Sequence, residues 1–325
     1  MSPRGPSLNI EMPLPIQPLP LVSVVIPAYN QAAFLAETID SVLSQSYART
    51  EIIVLDDGSS DGTPGIVQEF QDRVTAVRHN NRGENPTVNR GLELAQGDIL
   101  CIVNADDPLL PGAIEAGVAA LEEDSGALAA YPDWVEIDPR GQVIRTLRLP
   151  DYALADMLLG FNVAVGPGVF LRREALQQVG KRNAELRYTG DLDYWFRVAL
   201  AGGLKHIPAV LATHRVHPQA ASSAAQGKVM ANEVLRLMKV TIDSAAFPRE
   251  LRRYRFHLLS KAHAVASHYC GDDSTLHSQY LRRAAWYQYV ADWHVRLTGL
   301  RPPSFSDSPQ IQQPAKTAHY TELFQ

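Results

Sequence analysis

The sequence predicts an α/β fold, a mostly parallel sheet flanked by helices and followed by a helical C-terminal region. Three observations predict it. Short runs that are apolar on both faces, at 21–26, 51–55 and 99–103, read as buried parallel strands. Segments with apolar residues at helical spacing alternate with them, the first carrying Leu35, Ile39, Val42 and Leu43. From about 226 to 297 the helical pattern runs on, with Val229, Val234, Leu237 and Met238 as one stripe.

Taken in order, residues 1–20 hold six prolines and little periodicity, and read as an extended, disordered leader. Pro27 ends the first strand. The second closes on Asp56-Asp57-Gly58-Ser59-Ser60-Asp61-Gly62, a turn in which Asp61 and Pro64 suit the start of the next helix. A strand near 74–78 and a helix over about 86–96 follow, then the strand at 99–103 and a helix carrying Ile114, Val118 and Leu121. Beyond Ala127, runs at 134–137 and 142–145 flank Asp138-Pro139-Arg140-Gly141 and predict a hairpin. Residues 168–171 read as a strand before a short helix ending near Gly180. Residues 191–201 read as a helix stopped by Gly202-Gly203. The expected division is a sheet domain over 21–223, helices over 224–300 and a mobile tail over 301–325.

Composition narrows the function classes. The 325 residues are 46% hydrophobic and 20% charged, those of a globular protein, and the net charge of −5 supplies no general drive toward nucleic acid. Cys101 and Cys270 lie far apart and suit neither a disulfide framework nor a thiolate zinc site, which favours a reducing compartment. No stretch approaches the ~20 apolar residues of a membrane span, and the N-terminus lacks a signal-peptide pattern. Cytoplasmic residence is the expectation, with peripheral membrane contact left open.

In a parallel sheet, ligands bind beyond the carboxyl ends of the strands. The polar groups after Ile26, Leu55 and Val103 fall on that one rim. Asn104-Ala105-Asp106-Asp107 places two carboxylates there, suited to a hard divalent cation whose shell phosphate oxygens complete, or to a plain turn. Asp56 and Asp57 suit recognition of a base or ribose, or again a turn. Asp191, opening a helix, is either a general base or an N-cap, whereas Asp193 and Arg197 stand at i and i+4 and suit a local ion pair. In His214-Arg215-Val216-His217-Pro218, a histidine could close a metal shell and Arg215 could meet a diphosphate.

In this order the motifs resemble the family 2 inverting glycosyltransferases of the GT-A, Rossmann-like fold, over roughly residues 22–223. Val22-Ser23-Val24-Val25-Ile26-Pro27-Ala28-Tyr29-Asn30 is similar to the family's first strand and donor loop. Asp56 to Thr63 resembles its second loop, and Asn81-Arg82-Gly83 with Asn89 and Gly91 its third. Asn104-Ala105-Asp106-Asp107 stands at its D-x-D signature, with Asn104 in the first acidic position. Asp191 with Asp193, Trp195 and Arg197 resembles the base segment, with Gly190 where an acid is usual, and Arg215-Val216-His217 the late Arg-x-His element.

The resemblance implies transfer of a sugar from a nucleotide diphosphate donor, UDP above all, to a carbohydrate or lipid-linked hydroxyl, with inversion. Pro27, Ala28, Tyr29, Asn30, Asp56, Asp57, Arg82, Asn89, Asn104 and Asp106 would line the donor site. Asp106, Asp107 and His217 would hold Mn²⁺ or Mg²⁺, and Asp191 would be the base. The segment 166–170 is expected near the acceptor. The alternative is a catalytically inactive sugar-nucleotide-binding or scaffold protein. Nucleotidyl transfer would want a Gly-rich phosphate loop where Pro27-Ala28-Tyr29-Asn30 stands, and glycoside hydrolysis leaves the nucleotide-type sheet unexplained. The arginines and aromatics of the C-terminal helices suit either a solvated face, a homo-oligomer or a membrane surface.

Overall fold

The computed structural model describes residues 18–160, 165–218, 227–270, 273–302, 310–312 and 319–324. Elements β1 (Val22–Ala28), α1 (Leu35–Leu43), β2 (Thr50–Asp56), α2 (Thr63–Glu69), β3 (Thr75–Arg78), α3 (Glu84–Leu94), β4 (Ile99–Ile102) and α4 (Ala113–Glu123) alternate as expected. Then come β5 (Ala127–Ile137), β6 (Val143–Arg148), α5 (Leu154–Gly160), β7 (Phe170–Arg172), α6 (Arg173–Val179), α7 (Gly190–Ala201) and β8 (Gly203–Arg215). Helices α8 (Gly227–Asp243), α9 (Arg255–His268) and α10 (Ser274–Thr298) precede a short strand, β9 (Gln310–Gln312).

The sheet runs β3-β2-β1-β4-β7-β5-β6-β9, with β8 beside β5. Pairing is parallel from β3 to β4, and β8 is parallel to β5. β7 runs against both β4 and β5, and β6 and β9 are antiparallel additions. The sheet is therefore parallel where the nucleotide-type rim forms and mixed beyond it. β8 escapes the apolar patterning because Pro208 and several polar residues interrupt it. Its partner lies some 75 residues earlier, as in the pairing of Tyr131 with His206.

Alternation along β1 divides the core. Val22, Val24 and Ile26 face Leu35, Ile39 and Val42 of α1, while Val25 faces Val88 and Leu92 of α3. Gly91 lets α3 lie directly on the sheet: a Cβ there would stand 2.3 Å from a methyl of Val25 and 2.9 Å from one of Leu55. The helical region shares this core and adds a small one of its own, formed by Ala231, Val234, Ala266, Cys270 and Tyr280. Leu237, Met238, Phe247, Leu258 and Ala262 pack in the same cluster as Val25 and Tyr194. Val229, expected in the α8 stripe, is exposed instead.

The chain ends differ from expectation where they are described. β9 pairs with β6, and the Tyr320 hydroxyl donates to Glu37 Oε1 at 2.6 Å, so these parts of the expected mobile tail dock on the sheet domain. Of the leader, 1–17 lies outside the described residues. The carbonyl of Pro20 accepts from Tyr47 and that of Leu19 from Arg49. The expected boundary at 223 also lies outside them. Cys101 and Cys270 are both buried free thiols.

The packing generates a pair of opposed expectations. Gly91→Ala should destabilise the fold by about 1–3 kcal/mol through overpacking. Gly65→Ala in α2, where a Cβ meets nothing within 4 Å, should stabilise it by about 0.5–1 kcal/mol. Urea unfolding of both variants checks the signs.

Candidate active site

Because β1, β2 and β4 run parallel, the loops that follow them meet on one edge. Asn30 is the one non-glycine residue with positive φ (53°) among those described, a conformation asparagine tolerates. It ties two loops together: its N–H donates to Ser59 Oγ (2.9 Å), and its Oδ1 accepts from the Ser60 N–H (2.9 Å). The Gln31 N–H donates to Thr63 Oγ1 at 2.8 Å. Tyr29 is left half exposed on the rim beside Pro27 and Ala28.

Asp56 and Asp57, at the end of β2, both bond within the protein. Asp56 Oδ1 accepts from the Ser59 N–H, and its Oδ2 lies 3.2 Å from Arg78 Nε. Asp57 accepts from the Arg82 N–H (2.8 Å) and the Gly83 N–H (2.9 Å), with His79 Nδ1 3.3 Å away. Both carboxylates are buried; Asp56 holds the turn at Ser59 and Asp57 the loop that presents Arg82. Arg82 meets Asp57 through its backbone, and its side chain is exposed. Asn89 turns the other way, exchanging two hydrogen bonds with the backbone of Arg182 at 2.8 and 2.9 Å. It clamps the segment before α7 rather than facing the rim.

The adjacent acids after β4 also separate. Asp107 is 2% exposed: Oδ1 accepts from the Arg215 N–H at 2.7 Å, and Oδ2 accepts from Asn104 Nδ2 at 2.9 Å with His214 Nδ1 3.6 Å away. Asp106, also buried at 9% exposed, instead has its Oδ2 2.8 Å from His217 Nε2. Burial and then the charge of Asp107 push the Asp106 carboxyl up, while His217 pulls it down. Burial lowers the His214 imidazole, but Asp107, Glu136 and Asp106 outweigh it and raise it overall. Arg215 is wholly enclosed. Nε donates to the Asp106 carbonyl (3.0 Å), Nη1 to that of Asp138 (3.1 Å) and Nη2 to Glu37 Oε2 (2.6 Å), beneath the Phe34 ring. With Nη1 also 3.4 Å from the Pro139 carbonyl, four of its five N–H donors are taken by the protein.

A hard cation wants several oxygen ligands, commonly completed by phosphate and water. Asp106 fits as one such ligand and His217 stands beside it. Asp107 fits less well, because it is enclosed and each of its oxygens already accepts a bond, from Arg215 and from Asn104. Among the described residues no group of three or more His, Cys, Asp or Glu forms a protein-only metal cage.

Asp191 opens α7, exposed, where the helix N-terminus favours negative charge. Its neighbour Gly190 is required by contact: a Cβ would fall 2.1 Å from the Asn85 amide, which itself donates to the Leu186 carbonyl. This contact brings the N-termini of α3 and α7 together. Glu84, first residue of α3, pairs with Arg182 at 3.0 Å. Burial raises the Glu84 carboxyl, Arg182 lowers it, and the charges of Asp191 and Asp106 add to the rise. Asp193 and Arg197 form the expected ion pair at 2.7 Å.

Glu233 of α8 completes the arrangement. Its carboxylate accepts from the N–H groups of Arg187, Tyr188 and Thr189 at 2.9, 2.9 and 3.1 Å, and from Thr189 Oγ1 at 3.2 Å. It thus braces the turn that leads into Asp191. Glu84, Arg182, Glu37 and Glu233 are absent from the sequence-based set. Only Glu84, directly after Asn81-Arg82-Gly83, had a local signal. Of the segment 166–170, Val169 and Phe170 are core, whereas Gly166 packs on the Trp134 indole, which meets His214 edge-on at 5.6 Å.

Residues 23–180 match the family model described as glycosyl transferase family 2. An uncharacterised glycosyltransferase of Rickettsia typhi is 28% identical over 224 residues, 66% of this chain and 70% of that protein. One from Rickettsia felis is 28% identical over 213 residues, 62% of this chain and 35% of that one. An uncharacterised protein of Mycobacterium tuberculosis is 32% identical over 216 residues, 60% of this chain and 67% of its own length. The match thus spans from about a third to about seven tenths of these relatives. Among solved structures, Staphylococcus aureus TarS 1–349 in complex with UDP-GlcNAc aligns with a TM-score of 0.59 at 17% identity, over 91% of this chain and all of that one. The mannosyltransferase PcManGT of Pyrobaculum calidifontis, in complex with GDP-Man and Mn²⁺, aligns at 0.57 and 19% identity, over 87% of this chain and 81% of that one. At these identities the structures speak for the GT-A fold alone. With the family model, the relatives and the fold in agreement, the chain belongs to glycosyl transferase family 2.

Proposed function

We propose that this chain transfers a sugar from a nucleotide diphosphate donor to an acceptor hydroxyl, with Asp191 as general base and inversion at the anomeric carbon. The observation that carries the reading is the exposed carboxylate of Asp191 at the start of α7, which Gly190 and Asn85 lock against the start of α3, together with the Asp106–His217 pair after β4. A base on one wall and a diphosphate site on the other is the geometry a single displacement needs.

Pro27, Ala28, Tyr29 and Asn30 form the edge against which the nucleotide base lies, and the loop held by Asp57 presents Arg82 toward the phosphates. Asp106 with His217 would hold Mn²⁺ or Mg²⁺, which when bound draws off the charge that grows on the departing diphosphate. Asp191 accepts the proton of the acceptor hydroxyl as that oxygen attacks from the face opposite the leaving group. Glu233 keeps the turn before Asp191 in place. UDP is the first nucleotide to test, with GDP and dTDP beside it, and the acceptor is a carbohydrate or lipid-linked hydroxyl. The sheet and the C-terminal helices act as one domain in this reading.

Calorimetric titration of UDP, GDP and dTDP, with and without Mn²⁺, tests the donor site. One nucleotide should bind with metal dependence in wild type and lose that dependence in Asp106→Ala. Folded protein that binds none of the three would sink the transferase reading in favour of an inactive scaffold. Asp107→Ala should differ in kind, lowering the unfolding midpoint by breaking the Arg215 contact, as thermal denaturation would reveal. Asp191→Asn should leave nucleotide binding intact and reduce kcat by roughly 10²–10⁴-fold. Glu233→Gln should lower kcat by about 10–100-fold with donor KM little changed, since misplacing a base by an ångström costs that much. Steady-state kinetics separates the two quantities.

A further inference from the structure

The outer face of α10 carries large apolar side chains that the fold leaves uncovered. Trp286, Tyr289, Trp293 and Leu297 are 58%, 67%, 55% and 65% exposed. Their spacing of three and four residues sets them on one stripe, about 17 Å long at the helical rise. Behind the stripe α10 is firmly seated: Tyr287 lies 6.5 Å from the Phe256 ring and 5.1 Å from His263, and Tyr280 and Ala284 are buried. The aromatics face outward because the opposite side of the helix is already packed.

The charges beside the stripe are mostly positive. Arg282, Arg283 and Arg296 are exposed on α10, whose single acid, Asp292, is engaged by Gln288 at 2.8 Å. Across residues 249–301 there are nine Lys and Arg against four Asp and Glu, a local excess of five positive charges in a chain of net −5. Exposed tryptophan and tyrosine flanked by arginine match the boundary of an anionic bilayer, where the rings sit among headgroups and the guanidinium groups meet lipid phosphates. A second copy of this chain fits less well. A two-fold pairing of α10 stripes would gather the three exposed arginines of each copy against one carboxylate each, Asp292.

We propose that the α10 face is a docking surface for an anionic lipid membrane. The helix lies in the interface with Trp286, Tyr289, Trp293 and Leu297 among the headgroups and Arg282, Arg283 and Arg296 on the lipid charges. No helix of the described residues is long and apolar enough to cross the membrane, so this contact is one of surface attachment. The proposal stands apart from the transfer reaction, and its test reads no activity.

Flotation of the full chain with vesicles of phosphatidylcholine alone, and with phosphatidylglycerol added, tests it at low and high salt. Binding is expected to need the anionic lipid and to weaken with salt. Arg282→Gln/Arg283→Gln/Arg296→Gln should lower partitioning about a hundredfold, at roughly fivefold per arginine. Trp286→Ser/Trp293→Ser should lower it about tenfold. All these positions are exposed, and circular dichroism verifies that the variants fold. Equal binding to neutral and anionic vesicles, or none to either, overturns the proposal. So does concentration-dependent dimerisation in sedimentation that Trp286→Ser/Trp293→Ser abolishes, since the face would then belong to a second copy.

Discussion

The buried guanidinium of Arg215 is the constraint on which the arrangement of the cleft depends. A charge enclosed to 1% exposure is tolerable only if it finds acceptors, and here they come from three other parts of the chain. The Asp106 carbonyl, the Asp138 carbonyl and the Glu37 carboxylate accept from the side chain, and Asp107 accepts from the backbone of the same residue. The loop after β4, the turn between β5 and β6, the first turn of α1 and the end of β8 are thereby fixed to one another. Glu37 passes the constraint on to the C-terminus through Tyr320. With Asp107 held inward by this network, Asp106 is the one of the pair left to meet His217.

The opposite wall is fixed by other means. Gly190 and Asn85 interlock the starts of α7 and α3, and Asn89 clamps the backbone of Arg182. Glu233 then gathers four donors of the turn before Asp191. The C-terminal helices thus reach into the cleft from behind while α10 turns its aromatics outward. One side of the helical region is part of the site's support, and the other is free to meet a surface.

Much of the fold was legible because its cues are local. The ends of the apolar runs place three strand ends on one edge, as the parallel pairing of β1, β2 and β4 bears out, although β1 runs one residue past Pro27, to Ala28. The ion pair of Asp193 and Arg197 follows from helical spacing alone. The inward or outward facing of each polar group was not legible. Asp106 and Asp107 are adjacent and chemically identical, and what distinguishes them is a bond from Arg215, 108 residues from Asp107. Asp57 and Asn89 likewise sit within motif-like segments yet spend their polar atoms on the scaffold.

By itself the sequence determined the α/β class, the rim on which polar loops gather, the family, and the position of Asp191 at a helix start. Each follows from short-range periodicity, turn chemistry and motif order, which are properties of neighbouring residues. Tertiary structure alone decided the antiparallel insertion of β7, the long β5–β8 pairing and the docking of β9. It also decided the sealing of Asp107 and the brace from Glu233. These depend on hydrogen bonds between residues tens to hundreds of positions apart, formed because buried polar groups must find partners wherever the fold brings them.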